Sequence, residues 1–233
     1  MHITDRMPGE TGRDYALRTL KDNIIRLELE PGSMVSENEL ASAMSLSRTP
    51  VREALIELSK VNIVEIYPQK GSRISQIDPR MVEQAYFMRE TLELNVVREL
   101  CRTASEEDLN RLRESIKEQE KYFSNASLES GQDQMLLFMD LDNDFHQLFY
   151  EITGKEMVYS IIQEIVIHFD RVRNLTLNFV KPDYVIKQHR EILEAIEDRD
   201  EYLAAALLRR HLNRFKYIQQ ELLDEHPSYF KVA

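Results

Sequence analysis

From Asp78 onward, apolar residues return every three or four positions, in six successive stretches: 78 to 101, 105 to 124, 132 to 152, 155 to 178, 182 to 197 and 199 to 223. A chain of amphipathic helices with no alternating segment between them can bury its stripes only against one another, so this part is read as an all-helical bundle. The punctuation agrees. Ser105-Glu106-Glu107-Asp108 has the form of a capping box, "SNASLESGQ" reads as a polar loop, Gly154 as a C-cap and Pro182 as a helix start. Six glycines and no tryptophan in 233 residues also fit a mainly α protein.

The first third is organised differently. Apolar residues at helical spacing run from Tyr15 to Leu29, and "EPGS" is expected to stop that helix at Pro31-Gly32. A short helix follows over Glu37 to Met44, capped by Ser36, then a third from about Arg48 to Lys60, capped by Ser47, with Val51, Leu55 and Leu58 inward. In "NIVEIYPQKGSRIS" two short apolar runs flank a Pro/Gly turn, which predicts a hairpin. Helix, short helix, tight turn, helix, hairpin is the order of a winged helix-turn-helix. The expected organisation is a flexible arm over 1 to 13, a winged helix-turn-helix DNA-binding domain over 14 to 76, and a helical ligand-binding and dimerisation domain over 77 to 233.

In such a fold the first turns of the third helix reach base edges, here Ser47, Arg48, Thr49, Pro50 and Arg52. Arg48 and Arg52 lie one turn apart, and their forked guanidinium groups suit guanine or phosphate. Lys70, Gly71 and Arg73 mark the tip of the hairpin, where a wing would meet the backbone of the duplex. Total charge does not favour nucleic acid: Lys+Arg 30 against Asp+Glu 41 leaves -11. Residues 1 to 78 carry ten basic and twelve acidic side chains, so any DNA surface must be local. Position supplies it, because every basic residue between 45 and 75 except Lys60 falls on the third helix start or the wing.

Other classes recede. Cys101 is the sole cysteine, which leaves no disulfide framework or thiolate zinc site and fits a reducing cytoplasm. No apolar run is long enough to span a bilayer, and "MHITDRMPGETGR" lacks the apolar core of a signal peptide, so a cytoplasmic chain with no membrane partner is expected.

Three histidines stand on apolar helix faces. Asp142 and His146, four apart, lie beside the stripe of Phe138, Leu141, Phe145, Phe149 and Ile152. His189 shares a face with Val185, Ile192 and Ile196; His211 shares one with Leu207, Leu208, Phe215 and Ile218. Three imidazoles and a carboxylate converging in a bundle would form a divalent-metal site open to an exogenous ligand. Three separately satisfied core histidines remain an equal reading, because periodicity does not say whether the helices meet. His168 lies on an inward stripe with Ile161, Ile165, Val172 and Leu175, as a core ring or as a lining or substitute ligand of the cavity, while Asp140 and Asp144 turn toward solvent. A metal-dependent hydrolase is the rival class, but no inward second acid, nucleophile motif or phosphate-cradling loop supports catalysis, and the chain is read as not an enzyme. A protein-binding winged helix with a structural metal is the other alternative.

The stretch "PGSMVSENELASAMSLSRTPVREALIELSKVNIVEIYPQKGSRIS" resembles the DNA-binding domain of GntR-type bacterial transcription regulators. The shared features are the PG turn, an E-x-E-L-A helix, the S-R-T-P-V-R-E-A-L recognition helix and the wing glycine. The resemblance implies that Arg48, Thr49, Arg52 and Gly71 contact operator DNA; Asn38 stands where some relatives carry arginine. Residues 78 to about 222 resemble the FCD effector domain of the FadR subfamily, through D-x-x-F-H ending at His146, H-R-x-I-L from His189, and H-L at His211. That likeness implies a metal held by Asp142, His146, His189 and His211, with zinc first and nickel or manganese also compatible. It further implies that Arg89, in the R-x-x-L-E segment, clamps the carboxylate of a small organic acid effector, and that the regulator binds double-stranded operator DNA as a homodimer. The G-N pair usual after the Asp/His helix is Gly154-Lys155 here.

Overall fold

A computed structural model of the chain describes residues 1–125, 132–176, 181–213 and 219–231. They fall into two compact units. One comprises Met1–Ala85, Glu164–Asn174 and Glu221–Ala233, the other Tyr86–Gln163 and Leu175–Gln220. Besides the N-terminal part, the first unit thus takes in two later segments beyond the expected boundary at residues 76 and 77.

In the first unit α1 (Gly12–Ile25) starts at Thr11, whose side chain accepts from the Asp14 amide. It stops four residues before the expected Leu29. Leu27 turns left-handed at φ 60, and the amides of Leu27 and Leu29 bond back to Ile24 and Asn23, so the chain reverses before Pro31 is reached. The residues preceding α1, the expected arm, make bonds to that helix. Tyr15 Oη donates to the Thr4 carbonyl at 3.0 Å, Asn23 Nδ2 to the His2 carbonyl at 2.7 Å, and Arg18 pairs with Glu10 at 2.7 Å.

Strand β1 (Met34–Val35) leads into α2 (Glu37–Ala43) and α3 (Arg48–Lys60), followed by the hairpin β2 (Val64–Tyr67) and β3 (Gly71–Ile74). Ser36 and Ser47 occupy the N-cap positions as expected, but neither side chain makes a capping hydrogen bond. The sheet order is β1-β3-β2, antiparallel throughout, with Glu65 opposite Arg73 and Tyr67 opposite Gly71. Two residues of β1 are too few to leave an alternating pattern, which is why the sequence predicts only the hairpin. Leu20, Ile24, Val51, Ala54, Leu55, Ile63 and Ile74 form the core, joined by Ile167 from a much later helix.

The remaining helices are α4 (Pro79–Thr103), α5 (Glu106–Asn125), α6 (Gln132–Ile152), α7 (Glu156–Leu175), α8 (Pro182–Glu197), α9 (Glu201–Leu212) and α10 (Gln219–Glu225). Ser105 and Asp108 form the reciprocal cap, the Ser105 amide donating to Asp108 Oδ2 at 2.9 Å and the Asp108 amide to Ser105 Oγ at 3.2 Å. Gly154 ends α6 at φ 66, with the Lys155 amide bonded to the Tyr150 carbonyl at 2.7 Å, a Schellman closure. Helix α5 packs against α6 and α8, and α8 against α9. Ile161, expected inward, is 56% exposed, while its neighbour Ile162 is buried, so the stripe of α7 is rotated by about one residue there. Most of the predicted polar loop, together with Phe215 and Ile218, lies outside the described residues. No described helix is long and apolar enough to cross a membrane.

Candidate metal centre and nucleic-acid interface

Asp142 and His146 come from α6, His189 from α8 and His211 from α9. Their ligand atoms all lie within 4.8 Å of one another, and all four residues are buried. His146 Nε2 is 3.1 Å from His211 Nε2, and Asp142 Oδ1 is 3.3 Å from His189 Nε2 and 3.8 Å from His211 Nε2. Asp142 Oδ2 is 3.9 Å from His146 Nε2. The ring of His189 stacks on Phe145 at 4.3 Å, so an apolar wall backs the polar point.

The opposite nitrogen of each ring is tied. His146 Nδ1 bonds Glu93 Oε2 at 2.7 Å, His189 Nδ1 bonds Gln119 Oε1 at 2.8 Å, and His211 Nδ1 bonds Gln188 Oε1 at 3.1 Å. Each of these partners is an oxygen acceptor, so each Nδ1 carries the proton and each Nε2 turns a lone pair inward. The Gln119 amide is oriented for this by its own Nε2, which donates to the Leu141 carbonyl at 3.4 Å. Three inward imidazole lone pairs and a carboxylate form a cluster able to hold a divalent ion, with outer partners that fix ring orientation.

Periodicity did not flag Glu93, Gln119 or Gln188 as partners. A signal existed for Gln119, which continues the buried stripe of Leu112 and Ile116 and is itself 0% exposed, a polar group where the pattern calls for an apolar one. Arg89, the expected effector clamp, is buried and already paired. It is 5% exposed, and its Nε donates to Glu93 Oε1 at 2.6 Å, so Glu93 links Arg89 to the ligand His146. Burial alone pushes the Glu93 carboxyl up, but the Arg89 charge and the His146 ring outweigh it and hold it at about 2. His168 is not one of the clustered ligands; it belongs to the same compact unit as Val61, whose carbonyl its Nε2 bonds at 2.8 Å. Asp140 and Asp144 are exposed, as expected.

On the winged unit the side chains of Arg48 and Arg52 are 66% and 69% exposed at the start of α3. They border a cleft of about 730 Å³ closed on the far side by the hairpin tip, including Lys70 and Gly71. Ser47 and Thr49 are exposed and Pro50 half-buried on the same turn. Glu37, at the start of α2, lies 3.0 Å from Arg48 Nη2 and 4.0 Å from Arg52 Nε. Arg73 lies two residues down β3 from Gly71, paired with Glu65 at 2.6 Å and over the Tyr67 ring at 5.4 Å. Its pairing follows from the register, which sets Glu65 opposite it.

Family models for "Bacterial regulatory proteins, gntR family" and "FCD domain" match residues 14–74 and 84–214. An HTH-type transcriptional regulator in an unstable DNA locus of Streptomyces ambofaciens is 36% identical over 205 residues, 88% of this chain and 83% of that protein. The chain belongs to the GntR family. It is a transcription regulator built from a GntR winged helix-turn-helix and an FCD domain, and its relatives are regulators rather than enzymes. Among them, the HTH-type transcriptional repressor RspR of Escherichia coli (strain K12) is 26% identical over 97% of both chains. The solved structure of Escherichia coli McbR/YncC superposes with a TM-score of 0.75 at 19% identity, covering 91% of this chain and 98% of that one, which shows a shared fold. In this GntR-family chain the FCD match spans all four clustered ligands, and the gntR match spans Arg48, Arg52 and the wing.

Proposed function

We propose that the chain is a ligand-responsive regulator that binds operator DNA as a homodimer in the cytoplasm. Ser47, Arg48, Thr49, Pro50 and Arg52 enter the major groove, while Lys70 and Gly71 lie along the backbone of the duplex. A two-fold dimer presents two such helices to the half-sites of a pseudopalindrome. The carrying observation is the pair of exposed guanidinium groups one turn apart, facing a cleft rather than their own core. Similarity to the repressor RspR supports repression as the mode of action.

In the FCD domain Asp142, His146, His189 and His211 would hold a divalent ion; zinc suits the nitrogen-rich set, and nickel or manganese is compatible. The ion, when bound, supplies a Lewis-acidic position for a small organic acid. Glu93, Gln119 and Gln188 keep the three rings protonated on the outer nitrogen and aimed inward. Arg89 acts next to the effector with its charge already met by Glu93, so an incoming carboxylate exchanges with that pair rather than meeting a bare cation. The effector must bind one arrangement of the two heads better than the other, since equal affinity shifts nothing.

The test begins with duplexes selected from a random pool by the wild-type chain. Arg48→Ala and Arg52→Ala should each weaken binding to the selected duplex by about 1–3 kcal/mol. Unchanged affinity in both variants would remove the DNA assignment. Elemental analysis should find about one divalent ion per chain, lost when His189→Ala and His211→Ala are combined; full retention overturns the ligand set.

A further inference from the structure

His168 is the inward histidine that the metal cluster does not use, and it does not act alone. The last turns of α7 belong to the winged unit, and they carry His168, Arg171 and Asn174 at steps of three. Each bonds a main-chain carbonyl where an element of that unit ends. His168 Nε2 donates to Val61, the C-cap of α3, at 2.8 Å. Arg171 Nη2 donates to the carbonyl of Ser75, directly after β3, and its Nη1 to Ser75 Oγ at 3.4 Å. Asn174 Nδ2 donates to Ile25, the last residue of α1, at 2.7 Å. All three side chains are buried, and Ile167 beside them is part of the winged core.

Helix ends leave carbonyls that water usually satisfies. Here polar side chains take that place at two helix ends and do the same after a strand, one of them a fully buried arginine that burial draws down to about 10 and that therefore stays charged at neutral pH. Apolar residues would pack α7 against the winged core without the desolvation penalty of a buried charge. What the polar set adds is direction, since a hydrogen bond weakens steeply once its angle or distance drifts, whereas apolar contact slides.

We propose that His168, Arg171 and Asn174 are positioning residues for DNA recognition. They fix the trailing ends of α1, α3 and β3 against one helix, and so set the angle at which Arg48 and Arg52 are presented. This inference rests on the DNA-binding reading above. Because the three donors ride on one rigid helix, a displacement of α7 by the roughly 1.5 Å rise of one residue would disturb all three bonds together.

The experiment uses the full chain, a duplex selected by the wild type, and a scrambled duplex of the same length and composition, with affinities read by fluorescence anisotropy. His168→Leu and Asn174→Leu remove a donor while filling the space; His168→Gln retains one. A lost positioning bond should weaken binding to the selected duplex by about tenfold. Scrambled-duplex binding, which follows charge, should stay within about twofold. His168→Gln should restore most of the selectivity. Unchanged selectivity in the leucine variants, or an equal loss on both duplexes with helical content intact, overturns the proposal. If His168→Leu does not fold, Asn174→Leu carries the same comparison. Failure of the wild type to select any duplex sinks the DNA-binding reading itself, a result distinct from selection that succeeds and variants that retain it.

Discussion

Glu93 joins two side chains that the motifs keep separate, the arginine expected to meet the effector and a histidine expected to meet the metal. Glu93→Gln keeps an oxygen that can accept from His146 Nδ1 but removes the carboxylate charge that pairs with the buried Arg89. Breaking a buried pair this way costs about 3–5 kcal/mol, and loss of an outer partner lowers metal affinity about 10–100-fold. Both are measurable, by urea unfolding and by competition with a metal indicator, and wild-type values in both would show that Glu93 is not the link. The contrast with Gln119 is instructive about legibility. Arg89 and Glu93 at a spacing of four are visible in the sequence as a helix pair, whereas the partner of a buried glutamine is set by which helix lies opposite, and nothing local records that.

At the scale of elements, the wing depends on one glycine. Gly71 has φ 102, and a Cβ there would sit 3.1 Å from the Val35 carbonyl oxygen, a main-chain atom held in the β1-β3 ladder. Gly154, at φ 66 after α6, has nothing within 4 Å of the same added atom. Alanine should therefore cost about 1 kcal/mol at Gly154, from the left-handed backbone alone. At Gly71 the cost should be at the upper end of about 1–3 kcal/mol, with the wing amides exchanging faster. Equal costs in denaturant unfolding would mean that β1 does not constrain the tip. The hairpin and the glycine are legible in "YPQKGS"; the strand that makes the glycine obligatory is only two residues long and was not predicted.

For the whole molecule, two linkages bear on stability. Burial lowers the His168 imidazole below its usual 6.5, helped by the Arg171 charge and opposed by the Val61 carbonyl and Asp78. The folded chain keeps this ring neutral where the unfolded chain protonates it. Its contribution is thus intact above 6.5 and is lost as pH falls from there to the lower folded value, with a slope of at most about 1.4 kcal/mol per pH unit. Unfolding midpoints between pH 7 and 5 should fall less in His168→Gln than in the wild type; parallel curves would show that the ring does not titrate in this way. The second linkage is metal. An ion at a hundred times its Kd adds about 2.7 kcal/mol, or roughly 5–10 °C for a chain of this size, so a chelator should lower the melting temperature by that much. The His189→Ala, His211→Ala double variant should show no chelator effect, and an equal shift in it would place the ion elsewhere.

Local sequence determined the helices, the Ser105–Asp108 cap and the Gly154 closure, the hairpin and the identity of the four clustered residues, because period, Ser-x-x-Asp boxes and Pro/Gly punctuation act over a few residues of backbone. It left open whether three core histidines share one point, it did not disclose the partners of Arg73 and Arg89, and it misplaced Ile161 and the end of α1. Some of this is local, as in the bonds that end α1 and the hairpin register that sets Glu65 opposite Arg73; the rest depends on which surfaces meet across 53 to 149 positions, as in Glu93 reaching His146 and α7 returning to hold Val61, Ser75 and Ile25. Only tertiary packing brings such groups within hydrogen-bonding distance, since the direction of a buried side chain is set by its neighbours in space rather than along the chain.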